Sequence, residues 1–424
     1  MAPMKDKHGR PVVVVTGMGV VTSLGQGKDE NWAKLTAGQS GIHTITRFPI
    51  EGLRTTIAGT VDFVPFENAP DLTTKMAALA GEEAVQEAKI GDADSFPGPL
   101  FLGMPPVELE WPQRQDLARA SGKSADITYT DILKGAAAKD FSAMQTRFLF
   151  GSVGDALADR FGTKGAPISI STACATGATA IQLAVEAIRR GETGAALVIA
   201  ADGSANQESL VRFSLLSALS TRNGEPTAAA RPFSKDRDGF VMAEGAGALV
   251  LESWEHATAR GATILGVVEG CGEMADSFHR TRSSPDGAPI IGCIRNALDD
   301  AGVTPGDVQY VNAHGTSTPE NDKMEYVGLA AVFGDHLAKV AVSSNKSMIG
   351  HTLSAAGAIE AVFTLMTIRS GVIPPTINHT EADPAIKMDL VPNVARKASV
   401  TRAISNSFGF GGQNVCLVLA AEPA

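Results

Sequence analysis

The sequence predicts an α/β fold built from two similar halves that meet near residue 260. Three observations carry this expectation. Short runs of β-branched residues alternate with alanine-rich runs of helical period along the chain, the pattern of strands and helices packed in layers. "GEEAVQEAKIGDADSFPGPLFLGM" is echoed later by "IRNALDDAGVTPGDVQYVNAHGT", each a helix, a turn and a strand that runs into a loop. "ATAIQLAVEAIRRGE" is echoed by "AGAIEAVFTLMTIRSGV", and each follows a loop of small or polar residues carrying one candidate reactive side chain, Cys174 or His351. An order of elements that repeats argues for duplication rather than two unrelated units.

Taken in order, "VVVVTG" (12–17) reads as the first buried strand. Gly17-x-Gly19 invites a dinucleotide-binding reading, but Thr22 stands where a third glycine is needed. No strand ending in Asp or Glu follows at the required distance, so a tight strand-to-helix turn is the better reading. "KMAALAGEEAVQEAKI" is an amphipathic helix. Residues 104–146 are polar with weak periodicity and read as an excursion of short helices covering a site or an interface. "APISIST", "AALVIAAD" and "GALVLES" supply the remaining strands of the first half, with the helix "ATAIQLAVEAIRRGE" between the first two. In the second half the strands are "ILGVVEGCG", "VQYVNAHG", "KVAVSSNK" and "NVCLVLA", and the helices are "APIIGCIRNALDDAG" and "LSAAGAIEAVFTLMTIRSG". "SNSFGFGGQN" reads as a glycine-rich loop carrying Phe408 and Phe410.

Composition narrows the function classes. A chain of 424 residues, 44% hydrophobic, can bury a large core. Its formal net charge of −10 implies no nucleic-acid or anionic-membrane surface. Four cysteines, Cys174, Cys271, Cys293 and Cys416, form no disulfide framework and no C-x-x-C pair, so neither zinc nor another metal is expected. The apolar run near the start is too short for a secretory signal, and no stretch is long enough to span a bilayer. The sequence therefore predicts a cytoplasmic protein with no membrane contact.

Cys174 stands where a strand-like run becomes a helix-like run, crowded by Thr172, Ala173, Ala175, Thr176 and Gly177. A helix start offers unpaired N–H groups and the positive end of the dipole, which favour a thiolate. Lone cysteines and histidines are more often buried structural residues than catalysts. Here, however, His314 follows a strand in "YVNAHGTSTPEND", and "SSNKSMIGHTLSAAGAIE" sets Lys346 and His351 around Gly350, ahead of a helix carrying Glu360. A Cys-His protease has no work for a second histidine. Carbon–carbon bond formation on thioesters has work for both: the cysteine takes an acyl group, and two neutral imidazoles stabilise the oxyanion that builds as a malonyl thioester loses carbon dioxide.

"TACATGA", "RPFSKDRDGFVMAEGAGALVLE", "NAHGTSTPEND", "NKSMIGH" and "SNSFGFGGQN" resemble, in order and spacing, the motifs of the elongating beta-ketoacyl-acyl-carrier-protein synthases of the thiolase superfamily. The resemblance covers nearly the whole chain. It implies the duplicated five-layer αβαβα fold with halves 1–260 and 261–424, a homodimer, and acyl- and malonyl-loaded acyl-carrier protein as partner, with no cofactor. It implies Cys174, His314 and His351 as the catalytic set, with Lys346 orienting the site and paired with Glu360, and Asp276 as an acid nearby. It also implies an oxyanion hole from the N–H groups of Cys174 and Phe410, gating by Phe410, and pantetheine contacts from Thr316 and Thr318.

Three departures from the family pattern stand out. The strand end near residue 103 reads "FLGMPPVELEW", Ser217 stands where the family often has an arginine, and basic residues around Lys75 are sparse. Met144, Phe148, Leu149 and Phe150, with room left by Gly151 and Gly154, are the candidate liners of an acyl tunnel suited to a long or specialised chain. A polyketide- or nodulation-type condensing enzyme, or a non-catalytic partner subunit, are the alternatives, the last opposed by the presence of Cys174.

Overall fold

The structure is a computed structural model that describes residues 4–91 and 94–423. The main strands are β1 (Val13–Thr22), β2 (Leu100–Gly103), β3 (Ile168–Ile170), β4 (Ala195–Asp202) and β5 (Gly245–Ser253), then β6 (Gly266–Ala275), β7 (Tyr310–Asn312), β8 (Ala341–Ser343), β9 (Arg402–Phe408) and β10 (Gln413–Ala420). The helices used below are α1 (Lys28–Thr36), α2 (Ala69–Ala88), α3 (Trp111–Ala120), α4 (Tyr129–Ala138), α5 (Ser142–Arg147), α6 (Ser152–Phe161), α7 (Thr176–Arg189) and α8 (Gln207–Leu215). They continue with α9 (Trp254–Ala259), α10 (Ala288–Ala301), α11 (Pro319–Phe333), α12 (Lys346–Ile349) and α13 (Ala356–Ser370).

The sheet order is β8-β7-β9-β10-β6-β1-β5-β4-β2-β3. Each half therefore has the same order, third-second-fourth-fifth-first. Each also has the same directions: β2 runs parallel to β3 and β4, as β7 does to β8 and β9. The last two pairings of each half are antiparallel. The halves join edge to edge where Val13–Val15 pairs antiparallel with Gly266–Val268.

Burial follows the layers. α2 covers β1, β5 and β4 on one outside, α10 covers β6 and β10 on the other, and α7 and α13 lie between the two sheets. The central helices pack with the inner faces of both sheets in the largest apolar cluster. α13 is buried along nearly its whole length, as a helix enclosed on all sides must be. This is the five-layer αβαβα arrangement.

Gly17 and Gly19 do not make a strand-to-helix turn. They lie inside β1, where a Cβ would stand 2.0 Å from the Ala84 and Ala80 carbonyl oxygens respectively. Glycine is needed there because the backbone of α2 lies against the strand. Residues 104–161 leave the sheet after β2 as the short helices α3 to α6 before the chain returns in β3.

Candidate active site

Parallel strands of an α/β sheet present their carboxyl ends, and the loops that follow, to one side. Cys174 follows β3, His314 follows β7, Lys346 and His351 follow β8, and Phe410 follows β9. The duplicated topology points those ends at one another. The Sγ of Cys174 and one ring nitrogen each of His314 and His351 lie within 4.8 Å of one another, all three residues buried. The two imidazoles meet edge to face with ring centroids 5.3 Å apart.

Cys174 sits on a strained turn. Ala173 has φ 50, a left-handed conformation that is costly for a residue with a Cβ. Thr176 holds this turn, its hydroxyl accepting from the Thr172 N–H at 2.8 Å and donating to the Ala173 carbonyl at 2.5 Å. Burial pushes the Cys174 thiol up to about 11, against the downward pull of the Phe410 backbone N–H and the Lys346 ammonium. This corrects the expectation of a helix-stabilised thiolate. Helix α7 begins only at Thr176, so the sulfur lies outside its first turn, and desolvation dominates. Cys271, at about 12, Cys293 and Cys416 are also raised by burial, and none lines the cavity that Cys174 opens into.

Both imidazoles are neutral. Desolvation, then the nearby Lys346 charge, holds His314 well below the usual histidine range, and the same two causes act on His351. Lys346 Nζ lies 3.4 Å from His314 Nδ1, and the Leu353 N–H donates to His351 Nδ1 at 3.3 Å. With Nδ1 accepting on each ring, the Nε2–H of each is left as a donor.

Buried carboxylates hold these side chains. Lys346 is paired with Glu360, whose carboxyl burial raises to about 7 against the pull of Lys346. Glu325 accepts the backbone N–H of His314 at 2.9 Å and of Gly315 at 2.8 Å, and the side-chain amide of Asn406 at 3.0 Å. Asp202, at the end of β4, accepts from the Ser354 N–H at 3.1 Å and so fixes the turn after His351. The His351 backbone is clipped to Val241 and Ala243 by bonds of 2.7 and 2.9 Å. Sequence reading did not single out Glu325, Asp202 or Asn406. Glu325 is the seventh residue of α11, and the absence of a basic residue three or four positions from it was the available signal.

A cavity of about 310 Å³ leads to Cys174, lined among others by Phe240, Thr316, Thr318, Leu353 and Phe410. The hydroxyls of Thr316 and Thr318 are 2.9 Å apart, and Thr318 caps α11. Asp276 lines the same cavity. Its carboxylate accepts from the Phe278 and Ser284 N–H groups and the Ser284 hydroxyl. "SNSFGFGGQN" is only half a loop: Ser405 to Phe408 belong to β9, and the turn is Gly409–Gly412. The period-2 alternation of that strand is hidden because both its faces are buried. Met144, Phe148, Leu149, Phe150, Gly151 and Gly154 do not line this cavity. They lie on α5, α6 and the turn between them, with Leu149 half exposed.

A thiol with two imidazoles is also a soft donor set that a Zn²⁺ ion could use, and the Lys346 charge behind His314 opposes a cation there.

Two family models match the chain: beta-ketoacyl synthase, N-terminal domain, over residues 10–92 and 112–257, and beta-ketoacyl synthase, C-terminal domain, over 265–380. The chain belongs to the beta-ketoacyl synthase family. It is 38% identical over 413 residues to a 3-oxoacyl-[acyl-carrier-protein] synthase 2 of Coxiella burnetii, covering 96% of this chain and 98% of the relative. The protein of the same name from Rhizobium meliloti is 38% identical over 420 residues, with the same coverage of both chains. A type II PKS ketosynthase solved with its acyl-carrier protein superposes with a TM-score of 0.86 at 33% identity, covering 97% of this chain and all of that one. A beta-ketoacyl synthase from Burkholderia phymatum gives 0.82 at 33% identity with the same coverage. For this beta-ketoacyl synthase no described helix is long and apolar enough to cross a membrane.

Proposed function

We propose that this beta-ketoacyl synthase elongates fatty acyl chains by condensing an acyl group held on Cys174 with malonyl-acyl-carrier protein, releasing carbon dioxide. The observation that carries the reading is the convergence of one thiol and two neutral imidazoles at the end of a cavity. The relatives named as 3-oxoacyl-[acyl-carrier-protein] synthases support it.

In the first step the Cys174 sulfur attacks the carrier thioester. The carrier sulfur leaves and takes up the proton that Cys174 gives away, so a thiol of raised pKa is exchanged for another thiol. The acyl carbonyl oxygen takes hydrogen bonds from the backbone N–H groups of Cys174 and Phe410. In the second step malonyl-carrier enters past Thr316 and Thr318, and its thioester oxygen accepts from the Nε2–H groups of His314 and His351. As carbon dioxide leaves, negative charge builds on that oxygen; one such donor is worth about 3 kcal/mol of barrier. The resulting carbanion equivalent attacks the acyl-cysteine carbonyl, the C–S bond breaks, and the Cys174 thiolate is reprotonated. Lys346, held by Glu360, keeps His314 in the tautomer that donates, and no metal or cofactor takes part. Asp276 and Phe410 act by positioning and gating the entrance.

The halves 1–260 and 261–424 are read as the two units of the duplication. A homodimer is the proposed assembly, supported by the edge strand β3 with Ile168 42% exposed. The cytoplasm is the proposed compartment, since a working thiol needs reducing conditions.

The test is mass spectrometry of Cys174 after incubation with acyl-carrier proteins, followed by malonyl-carrier. The expected results are an acyl adduct on Cys174 and a β-ketoacyl product two carbons longer. Acylation of Cys174→Ala at another residue would overturn the reading.

A further inference from the structure

The loop after β6, residues 276–284, forms one wall of the cavity mouth, and His279, Arg280 and Arg282 line the cavity together with Cys174. Arginines elsewhere are mostly neutralised by carboxylates, such as Arg10 by Asp6 and Asp300, Arg189 by Asp300, and Arg402 by Glu269. Arg280 and Arg282 are exposed, and neither has a carboxylate within ion-pair distance among the described residues. Asp276 and Glu320 are the acids on the cavity wall, and neither forms an ion pair with these arginines among the described residues; the Asp276 carboxylate is turned to the N–H and hydroxyl groups of its own loop.

Two free guanidinium groups at the mouth of a substrate cavity, on a chain of net charge −10, call for an anion presented at that point. The planar fork of arginine matches the oxygens of a phosphate. The loop is also fastened to the one that carries Phe410: the Arg280 carbonyl accepts the Gly411 N–H at 2.8 Å, and the Asp276 N–H donates to the Gly412 carbonyl at 2.7 Å. The arginines therefore have a fixed base beside the route to Cys174. Ser217, which lines the same cavity, offers no charge.

We propose that Arg280 and Arg282 bind the phosphate that joins a carrier's pantetheine arm to its serine, a role that rests on the condensing reading above. They hold the arm at its root while its thioester reaches past Thr316 and Thr318 to Cys174. They thereby supply from the 276–284 loop the positive charge that position 217 lacks.

The experiment measures acylation of Cys174 with one acyl group on three donors: acyl-pantetheine, acyl-phosphopantetheine, and the intact acyl-carrier protein. The double variant Arg280→Ala/Arg282→Ala should raise KM about tenfold or more for the two phosphate-bearing donors, since a charge-assisted bond is worth that much. Its loss on acyl-pantetheine should be several-fold smaller. Lysine at both positions should recover part of the loss, and the salt dependence of KM should flatten in the alanine variant. Equal losses on all three donors, or no loss on any, would overturn the proposal. A loss confined to the intact carrier would overturn it too, by assigning the arginines to the carrier's protein surface. If the wild-type protein acylates Cys174 with none of the donors, it is the condensing reading that fails.

Discussion

Gly177 and Gly357 meet at the centre of the molecule, where α7 crosses α13. A Cβ on Gly177 would stand 2.6 Å from the Ala358 nitrogen, and one on Gly357 2.4 Å from the Ala178 nitrogen. Each helix starts just beyond a side chain proposed for the reaction, Cys174 for α7 and His351 for α13. Gly357→Ala should cost about 1–3 kcal/mol by overpacking. It should also slow condensation, because separating the helices moves the sulfur from the imidazoles. Urea unfolding and turnover check this; an unchanged midpoint with normal turnover would count against it.

Lys346 and Glu360 form a pair that is 2% and 1% exposed. Removing one partner of a buried pair leaves the other charge without compensation, at a cost of about 3–5 kcal/mol, whereas replacing both by apolar groups costs far less. Lys346→Met and Glu360→Leu should each destabilise more than the double variant does. The two variants that lack Lys346 should lose malonyl decarboxylation, because His314 loses the ammonium that sets its tautomer; Glu360→Leu should lose part of it, because Lys346 loses the carboxylate that holds it. Thermal denaturation paired with a carbon dioxide assay separates the two effects.

Glu325 holds the backbone of His314 and Gly315 with separate oxygens. Glu325→Gln turns one acceptor into a donor and leaves a buried N–H unpaired, at about 1–3 kcal/mol. Decarboxylation, which the proposed mechanism assigns to His314, should fall further than acylation of Cys174. Equal losses in the two half-reactions would show that the substitution acts only on overall stability.

The raised Cys174 pKa, about 11, makes a kinetic prediction. Alkylation by iodoacetamide should climb with pH throughout the neutral and mildly alkaline range, with no plateau near 7; a plateau there would mean a resident thiolate.

The histidine shifts concern stability. His314 and His351 have folded pKa values well below the ordinary 6.5, so their contribution is present above 6.5 and is lost as pH falls toward the folded values. Glu325 and Glu360, raised from 4.5 to about 7, act the other way: their contribution is present below 4.5 and is lost as pH rises through about 7. His351→Phe should therefore make stability fall less steeply as pH drops below about 6.5, read from denaturant midpoints at several pH values. An unaltered slope would argue that His351 is not buried neutral.

The layered fold was legible because its signals are local. Alternating strand and helix periods, repeated in the same order, need no knowledge of contacts, and "AALVIAAD" coincides with β4, Ala195–Asp202. Cys174, His314, Lys346 and His351 were legible for the same reason, since each stands in a loop of small residues at a strand end. Where the reading erred, a distant neighbour decided the outcome. Gly17 and Gly19 look like a turn until α2 is seen lying on them. Ser405–Phe408 looks like a loop until its pairing with β10 and β7 is seen.

The sequence by itself determined the order of elements, the duplication and the set of side chains proposed for the reaction, all written in residue type and spacing along the chain. Only the tertiary structure decided the burial that raises the Cys174 thiol, the contacts at each histidine Nδ1, the three hydrogen bonds that Glu325 accepts and, among the described residues, the lack of an ion-pair partner for Arg280 and Arg282. These depend on burial and on charges brought together from positions far apart in the chain. A pKa or a hydrogen bond is set by what surrounds a group in space, and local sequence carries no record of that.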